Sequence, residues 1–300
     1  MTGYKTIMSN KIIVHVGHGH KAKKSMGQNF LKSKEALLKM CKAGEVNNKD
    51  IIVEIGPGKG ALTEKLLVHV GHGQGKVIAI EKDRDLMDIL VEKFTQEIKN
   101  GKLILLNEDI LGFDPAKYGL KEGGYKIIAN IPYNITGSII RRFLSEVNRP
   151  NTMTLLVQKE VAERVCVHVG HGHREGKESI LSLSVKAYGE PKYIMKVHKR
   201  FFSPSPKVDS AIISINNISG KIFDNNKKKE ENFFKIIKAG FAHKRKVLCK
   251  NLEVGLPDIE DIKEKIGKIF TELKIDTKAR AEDVPFQKWL QITESFNKNT

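Results

Sequence analysis

Asn130, Ile131, Pro132 and Tyr133 stand together directly after the apolar run 127–129, and their types suit a specific chemistry. An asparagine amide oxygen and a main-chain carbonyl held by proline are two acceptors for the two hydrogens of an aromatic amine. Accepting both favours a pyramidal nitrogen, whose lone pair, otherwise delocalised into the ring, can then attack an activated carbon in line. No strong base is required, because the alkylated ammonium is acidic and loses its proton readily. Tyr133 adds a flat face for a base, a contact worth about 1–3 kcal/mol in single-stranded systems. Without context the same four residues also read as a strand end with a turn proline and a half-buried tyrosine.

Context comes from Glu54-Ile55-Gly56-Pro57-Gly58-Lys59-Gly60. Gly56 and Gly58 let the backbone turn sharply and approach a ligand at a helix N-terminus. Gly56, Gly58 and Ala61 also satisfy the loose dinucleotide fingerprint, so a nicotinamide enzyme is an alternative, although no hydride-transfer acid or base is evident. The acid Glu54 inside the strand and the third glycine, Gly60, favour a nucleoside with an amino-acid tail over a pyrophosphate. Glu81, ending the next apolar run, is placed for both hydroxyls of a ribose. Its other reading is a solvated strand-end carboxylate.

The elements that must position these residues follow from periodicity. Runs at 51–55, 77–80, 103–106, 127–129 and 155–157 read as buried strands. Between them, Leu62, Leu66 and Leu67, then Leu86, Ile89, Leu90 and Phe94, then Ile140, Phe143, Leu144 and Val147 recur at helical spacing. This alternation predicts an α/β fold with a mostly parallel sheet covered on both faces. Runs 193–197 and 211–215, joined across Phe202-Ser203-Pro204-Ser205-Pro206, predict a closing antiparallel pair. Beyond a basic linker at 225–229, Phe234, Ile237, Phe241, Leu248 and Leu252 mark helices interleaved with lysine and arginine, and Lys244 to Lys246 are expected on a basic helix. A large domain over 1–218 and a small all-α domain over 219–300 are expected.

Composition narrows the partners. Lys and Arg number 52 against 35 Asp and Glu, a net charge of +17, which suits a polyanion. No apolar run is long enough for a membrane span, and the three scattered cysteines, Cys41, Cys166 and Cys249, fit reduced thiols in the cytoplasm. The heptad from Val14 to His20 recurs from Val167 to His173 and, with a final Gln, from Val68 to Gln74, holding eight of the ten histidines. These copies are too short to be structural repeats and are expected as loop sequence between elements, with no functional metal site.

The chain resembles the ribosomal RNA adenine N6-dimethyltransferases of the small-subunit type, a family that includes the Erm resistance methylases. The resemblance rests on seven blocks in order: 27–31 (GQNFL), 54–58 (EIGPG), 80–83 (IEKD), 108–111 (EDIL), 130–135 (NIPYNI), 157–164 (VQKEVAER) and 202–210 (FSPSPKVDS). It implies a Rossmann-like fold, S-adenosylmethionine as cofactor, and small-subunit rRNA as substrate, with two adjacent adenines of a 3′-terminal hairpin each methylated twice by a monomeric enzyme. It implies that Asn29 and Leu31 touch the cofactor, that Gly56 lies under its methionine tail with Gly58 also in the cofactor site, and that Glu81 and Asp109 hold ribose and adenine. By the same resemblance Asn130 contacts the cofactor and receives the target amine, Pro132 belongs to the catalytic tetrad by fixing the backbone, and Tyr133 and Phe202 flank the target base. An Erm-type enzyme acting on large-subunit rRNA and a non-catalytic RNA-binding relative are the alternatives. The heptads depart from the family pattern, the middle one stretching the Gly56–Glu81 spacing, and His198 stands where proline is usual.

Overall fold

A computed structural model describes residues 20–167 and 176–297. Its strands are β1 (Phe30–Leu31), β2 (Ile51–Ile55), β3 (Lys76–Ile80), β4 (Leu103–Leu106), β5 (Lys126–Asn130), β6 (Thr152–Gln158), β7 (Glu190–Val197), β8 (Phe202–Ser203) and β9 (Ser210–Asn216). Seven of them form one sheet in the order β4-β3-β2-β5-β6-β9-β7. The first five are parallel, and β9 runs antiparallel between β6 and β7. The expected closing pair is therefore present, with a register shift between Tyr193 and Met195. Strand alternation sends Val53, Ile78 and Ile127 into one apolar layer and Ile52, Val77 and Ile128 into the other, so both faces are covered. The α/β fold with a mostly parallel sheet is the one the periodicity predicts, and its Rossmann-like order is the one the family resemblance implies.

Helices α1 (Lys34–Ala43), α2 (Ala61–Val70), α3 (Arg84–Lys93), α4 (Thr95–Lys99), α5 (Thr136–Ser145), α6 (Lys159–Val165) and α7 (Ile180–Tyr188) accompany the sheet. Local chemistry starts several of them. Ser33 accepts from Ala36 N–H, Asp83 from Asp85 N–H, and Ser179 forms a capping box with Ser182. The helix through Ile140, Phe143 and Leu144 stops at Ser145, where Glu146 turns extended, so Val147 is exposed rather than on the apolar face. Phe94 ends α3 and is buried against Gly60.

After Asn216 the described chain contains only helices and turns: α8 (Lys227–Gly240), α9 (Leu248–Gly255), α10 (Ile262–Glu272) and α11 (Phe286–Asn297) besides short 3-10 turns. Trp289 and Phe233 are buried among them, and the apolar layer runs through Phe223 and Tyr188 onto the sheet. Lys244 to Lys246 lie in the exposed turn between α8 and α9, not on a helix. Buried Asn251 braces that turn, its amide donating to the carbonyls of Gly240 (2.7 Å) and His243 (3.0 Å).

The middle heptad also differs from expectation. Val68, His69 and Val70 complete α2 rather than a loop, because Leu62, Leu66 and Val70 continue one i, i+4 row into the core. Gly71, at φ +47°, then stops the helix and donates to Leu67 O. Residues 14–19 and 168–173 of the other two copies lie outside the described residues; Val167 is buried and His20 lies beside Gln28.

Candidate active site

The strand order reverses at β2, whose parallel neighbours β3 and β5 follow on opposite sides, and ligands of open α/β sheets bind at the carboxyl ends of such strands. A cavity of about 630 Å³ opens there, in the range of small-molecule sites. The turn after β2 forms its floor. Gly56 and Gly58 have φ of +64° and +60°, a left-handed conformation that side chains resist. A Cβ on Gly56 would meet nothing within 4 Å and would enter the cavity; on Gly58 it would press the Phe30 ring at 3.0 Å.

Glu81, just past β3, is 6% exposed. Its Oε2 accepts from Gly58 N–H (3.1 Å) and its Oε1 from Asp83 N–H (2.9 Å), which locks the carboxylate toward the glycine turn. Burial raises its pKa, opposed by those two backbone donors. A carboxylate has about four acceptor positions, so two hydroxyls can still be received. Glu54 is more deeply placed, and its Oε2 has no partner. Burial pushes its pKa up to about 8, with Thr63 pulling it down and the Glu81 charge adding to the rise. An unpartnered buried carboxyl on the wall of a cavity invites a cationic group. With the space above Gly56, those two carboxyl groups fit S-adenosylmethionine, which carries a ribose, a sulfonium and an amino-acid tail bearing an ammonium group.

Asn130 ends β5 and its Nδ2 donates to the main-chain carbonyl of Asn29 at 3.1 Å. A carbonyl can only accept, so this bond assigns the amide orientation and turns Oδ1 to the other side as an acceptor. Asn29 is itself held, its Nδ2 donating to Gly27 O. Pro132 precedes the short turn Tyr133–Ile135 and its carbonyl accepts from Ile135 N–H (3.3 Å) and the Thr136 hydroxyl (3.4 Å). Tyr133 is half-buried, its hydroxyl 2.6 Å from Ser210 Oγ; burial raises its pKa and Ser210 lowers it.

Asn29, Leu31, Gly56, Gly58, Glu81, Asp109, Asn130, Pro132 and Tyr133 all line this one cavity. Asp109 is at an exposed edge, accepting from Lys82 Nζ (2.8 Å) and Leu111 N–H (3.0 Å), and the lysine holds its carboxyl below the usual range. Phe202 does not line the cavity. It pairs with Leu31 across the small β1–β8 sheet and is 4% exposed, while its neighbour Ser203 reaches the cavity. Phe202 packs with Leu31 in the apolar layer on that side of the sheet. Sequence reasoning also missed Ser210, the unpartnered Glu54 oxygen and the strand pair β1–β8. Ser210 and Phe30 of β1 stand inside two of the seven sequence blocks, and the acidity of Glu54 within its strand is visible in sequence, whereas their pairings are not.

His20, Asp83 and Asp85 place ligand atoms within 4.8 Å of one another. Lys23 Nζ lies 2.6 and 2.8 Å from the two carboxylates, so an ammonium already balances that charge.

Residues 19–298 match the family described as ribosomal RNA adenine dimethylase. A protein of Fusobacterium nucleatum named ribosomal RNA small subunit methyltransferase A is 37% identical over 278 residues, covering 92% of this chain and 98% of its own length. One of the same name from Mycoplasmopsis pulmonis is 38% identical over 266 residues, with coverages of 88% and 94%. Among solved structures, a dimethyladenosine transferase from Plasmodium falciparum aligns with a TM-score of 0.72 at 24% identity, covering 90% of this chain and 98% of its own. The 23S rRNA methyltransferase ErmE aligns at 0.69 with 23% identity, covering 90% and 100%. At those identities the two structures support the fold alone.

Proposed function

Because the chain belongs to the ribosomal RNA adenine dimethylase family, we propose that this cavity dimethylates N6 of two adjacent adenines in the 3′-terminal hairpin of small-subunit rRNA. S-adenosylmethionine supplies the methyl group, bound to a positively charged sulfur. Glu81 receives the ribose hydroxyls, Asp109 the cofactor's adenine amine, and Glu54 faces the ammonium of the amino-acid tail above Gly56 and Gly58. Asn29 and Leu31 close the site from the N-terminal side.

The observation that carries the reading is the Asn130 amide, oriented by Asn29 O so that Oδ1 is left to accept from a target amine. Pro132 O is already engaged, so the preceding Ile131 carbonyl is the second acceptor. Two acceptors on one amine localise its lone pair, and such preorganised groups act without reorganising as charge develops. The adenine must leave its stack to reach them, at a cost of a few kcal/mol, and Tyr133 offers one face on arrival. Phe202 supports the β1–β8 pair from the core rather than touching the base.

The small-subunit names of the relatives favour that target over large-subunit rRNA, and the intact tetrad favours catalysis over binding alone. We place the methyltransferase unit at 1–218 and an RNA-contacting helical unit at 219–300, with the exposed Lys244-Arg245-Lys246 turn against phosphate. The net charge of +17 supports such contact. No helix among the described residues is long and apolar enough to cross a membrane, and we assign the protein to the cytoplasm, acting as a monomer.

The test is incubation with methyl-labelled cofactor and small subunits lacking the modification, followed by nucleotide analysis. N6,N6-dimethyladenosine at two neighbouring positions is expected. Label confined to large-subunit rRNA, or none, would overturn the assignment.

A further inference from the structure

A polar cluster at the cavity rim takes no part in the chemistry above. Its centre is Asp83, whose carboxylate is 1% exposed. Asp83 caps α3, and one backbone donor, Asp85 N–H at 3.2 Å, meets that need. Any Ser, Thr or Asn would cap as well. Its other partners come from 60 and 55 residues away: Lys23 Nζ at 2.6 Å and Gln28 Nε2 at 2.7 Å. Gln28 Oε1 in turn accepts from Lys23 N–H at 2.8 Å. The stretch 20–31 is thus a strap, tied at the rim by Asp83 and at its far end by the pairing of Phe30 with Ser203.

Two lines connect Asp83 to the site. Its own N–H donates to Glu81 Oε1. The strap it holds carries Asn29, whose carbonyl orients the Asn130 amide. Burying a carboxylate is unfavourable unless it is paired, and here the side-chain partners come from the strap alone among the described residues. Opening the strap would leave Asp83 short of partners, so the closed position is favoured.

We propose that Asp83 is a positioning residue that clamps the strap over the cofactor and keeps Glu81 and Asn130 in register. The proposal rests on the roles given above to those two residues.

The test uses Asp83→Asn, Gln28→Glu and the two combined. Asp83→Asn keeps the helix cap but presents an amide N–H₂ to donors, and Gln28→Glu sets a second carboxylate against Asp83. Together they restore a carboxylate–amide bond with reversed polarity, and Lys23 keeps an anionic partner. Each single change should raise the S-adenosylmethionine Kd and KM about tenfold, as expected for losing one charge-assisted hydrogen bond. Each should lower kcat severalfold and let trypsin cut after Lys21 or Lys23 even with cofactor bound. The pair should return Kd to within about threefold of the parent, the mark of direct coupling. An unchanged Kd in the single variants, or effects that simply multiply in the pair, would overturn the proposal. Should Asp83→Asn fail to fold, Gln28→Glu alone decides it, because an unchanged Kd and trypsin pattern in that variant refute the clamp. Glu81→Gln and Asn130→Ala are measured alongside. If these leave Kd and methyl transfer at parental values while Asp83→Asn still frees the strap, the assigned roles fail and the clamp does not.

Discussion

Replacing Glu54 with glutamine should remove from the folded chain a penalty that grows with pH. Glu54 is buried, and its pKa rises from an ordinary 4.5 to about 8. The folded protein therefore holds a proton that the unfolded chain releases across that window. With fewer protons bound in the unfolded state, stability falls as pH rises, being full below the unfolded pKa and lost on passing through the folded one. At about 1.36 kcal/mol per pH unit, the span amounts to an upper value on the order of 5 kcal/mol, since water in the cavity relieves part of it. Glutamine has the same shape and cannot ionise. Urea unfolding of both proteins, followed by circular dichroism from about pH 5 to about pH 9, should show the parent losing at least roughly 2 kcal/mol relative to Glu54→Gln, with the gap levelling above about pH 8. Groups common to both proteins cancel in that difference. S-adenosylmethionine, whose sulfonium stays cationic at every pH, should then stabilise the parent more than the variant at the alkaline end, where the carboxylate is ionised. Parallel stability curves across the whole range would refute the reasoning, because Glu54 would then titrate alike folded and unfolded.

Asn130→Ala should lower kcat about 100- to 1,000-fold, the usual effect of deleting a preorganised polar group, with an unchanged melting temperature; single-turnover methyl transfer checks it. Gly56→Ala and Gly60→Ala should separate binding from folding. A Cβ on Gly56 meets no atom, so the variant should fold at a cost of about 1–2 kcal/mol for its positive φ while its cofactor KM rises steeply. On Gly60 the Cβ would stand 2.4 Å from Phe94, so stability should fall by about 2 kcal/mol or more, partly recovered by Phe94→Leu in thermal melts. Alanine at Lys244, Arg245 and Lys246 should weaken rRNA binding and reduce the slope of log K against log salt by about 1 per residue in filter binding, leaving the cofactor Kd unchanged.

Much of this protein is written in short-range pattern. The five parallel strands and the closing antiparallel pair are legible as short apolar runs, the helices between them by a 3.6-residue period, and the glycine turn by its residue types at a strand end. The tetrad was legible because its residues are contiguous at a strand end. What only the tertiary structure decided depends on partners far apart in the chain. Asn130 has a usable oxygen because a carbonyl 101 residues earlier accepts an amide hydrogen and so orients the group. Phe202 faces the core because Leu31, brought beside it by the β1–β8 pairing, places it in that layer. Val68 to Val70 became helix because the core received Val70 in the row of Leu62 and Leu66, whereas the histidine repeat had suggested a loop. Local sequence sets the propensity and the facing of each element. Closure of the chain on itself sets which polar atoms end up paired, and in this site those pairings set which polar groups are left facing the cavity.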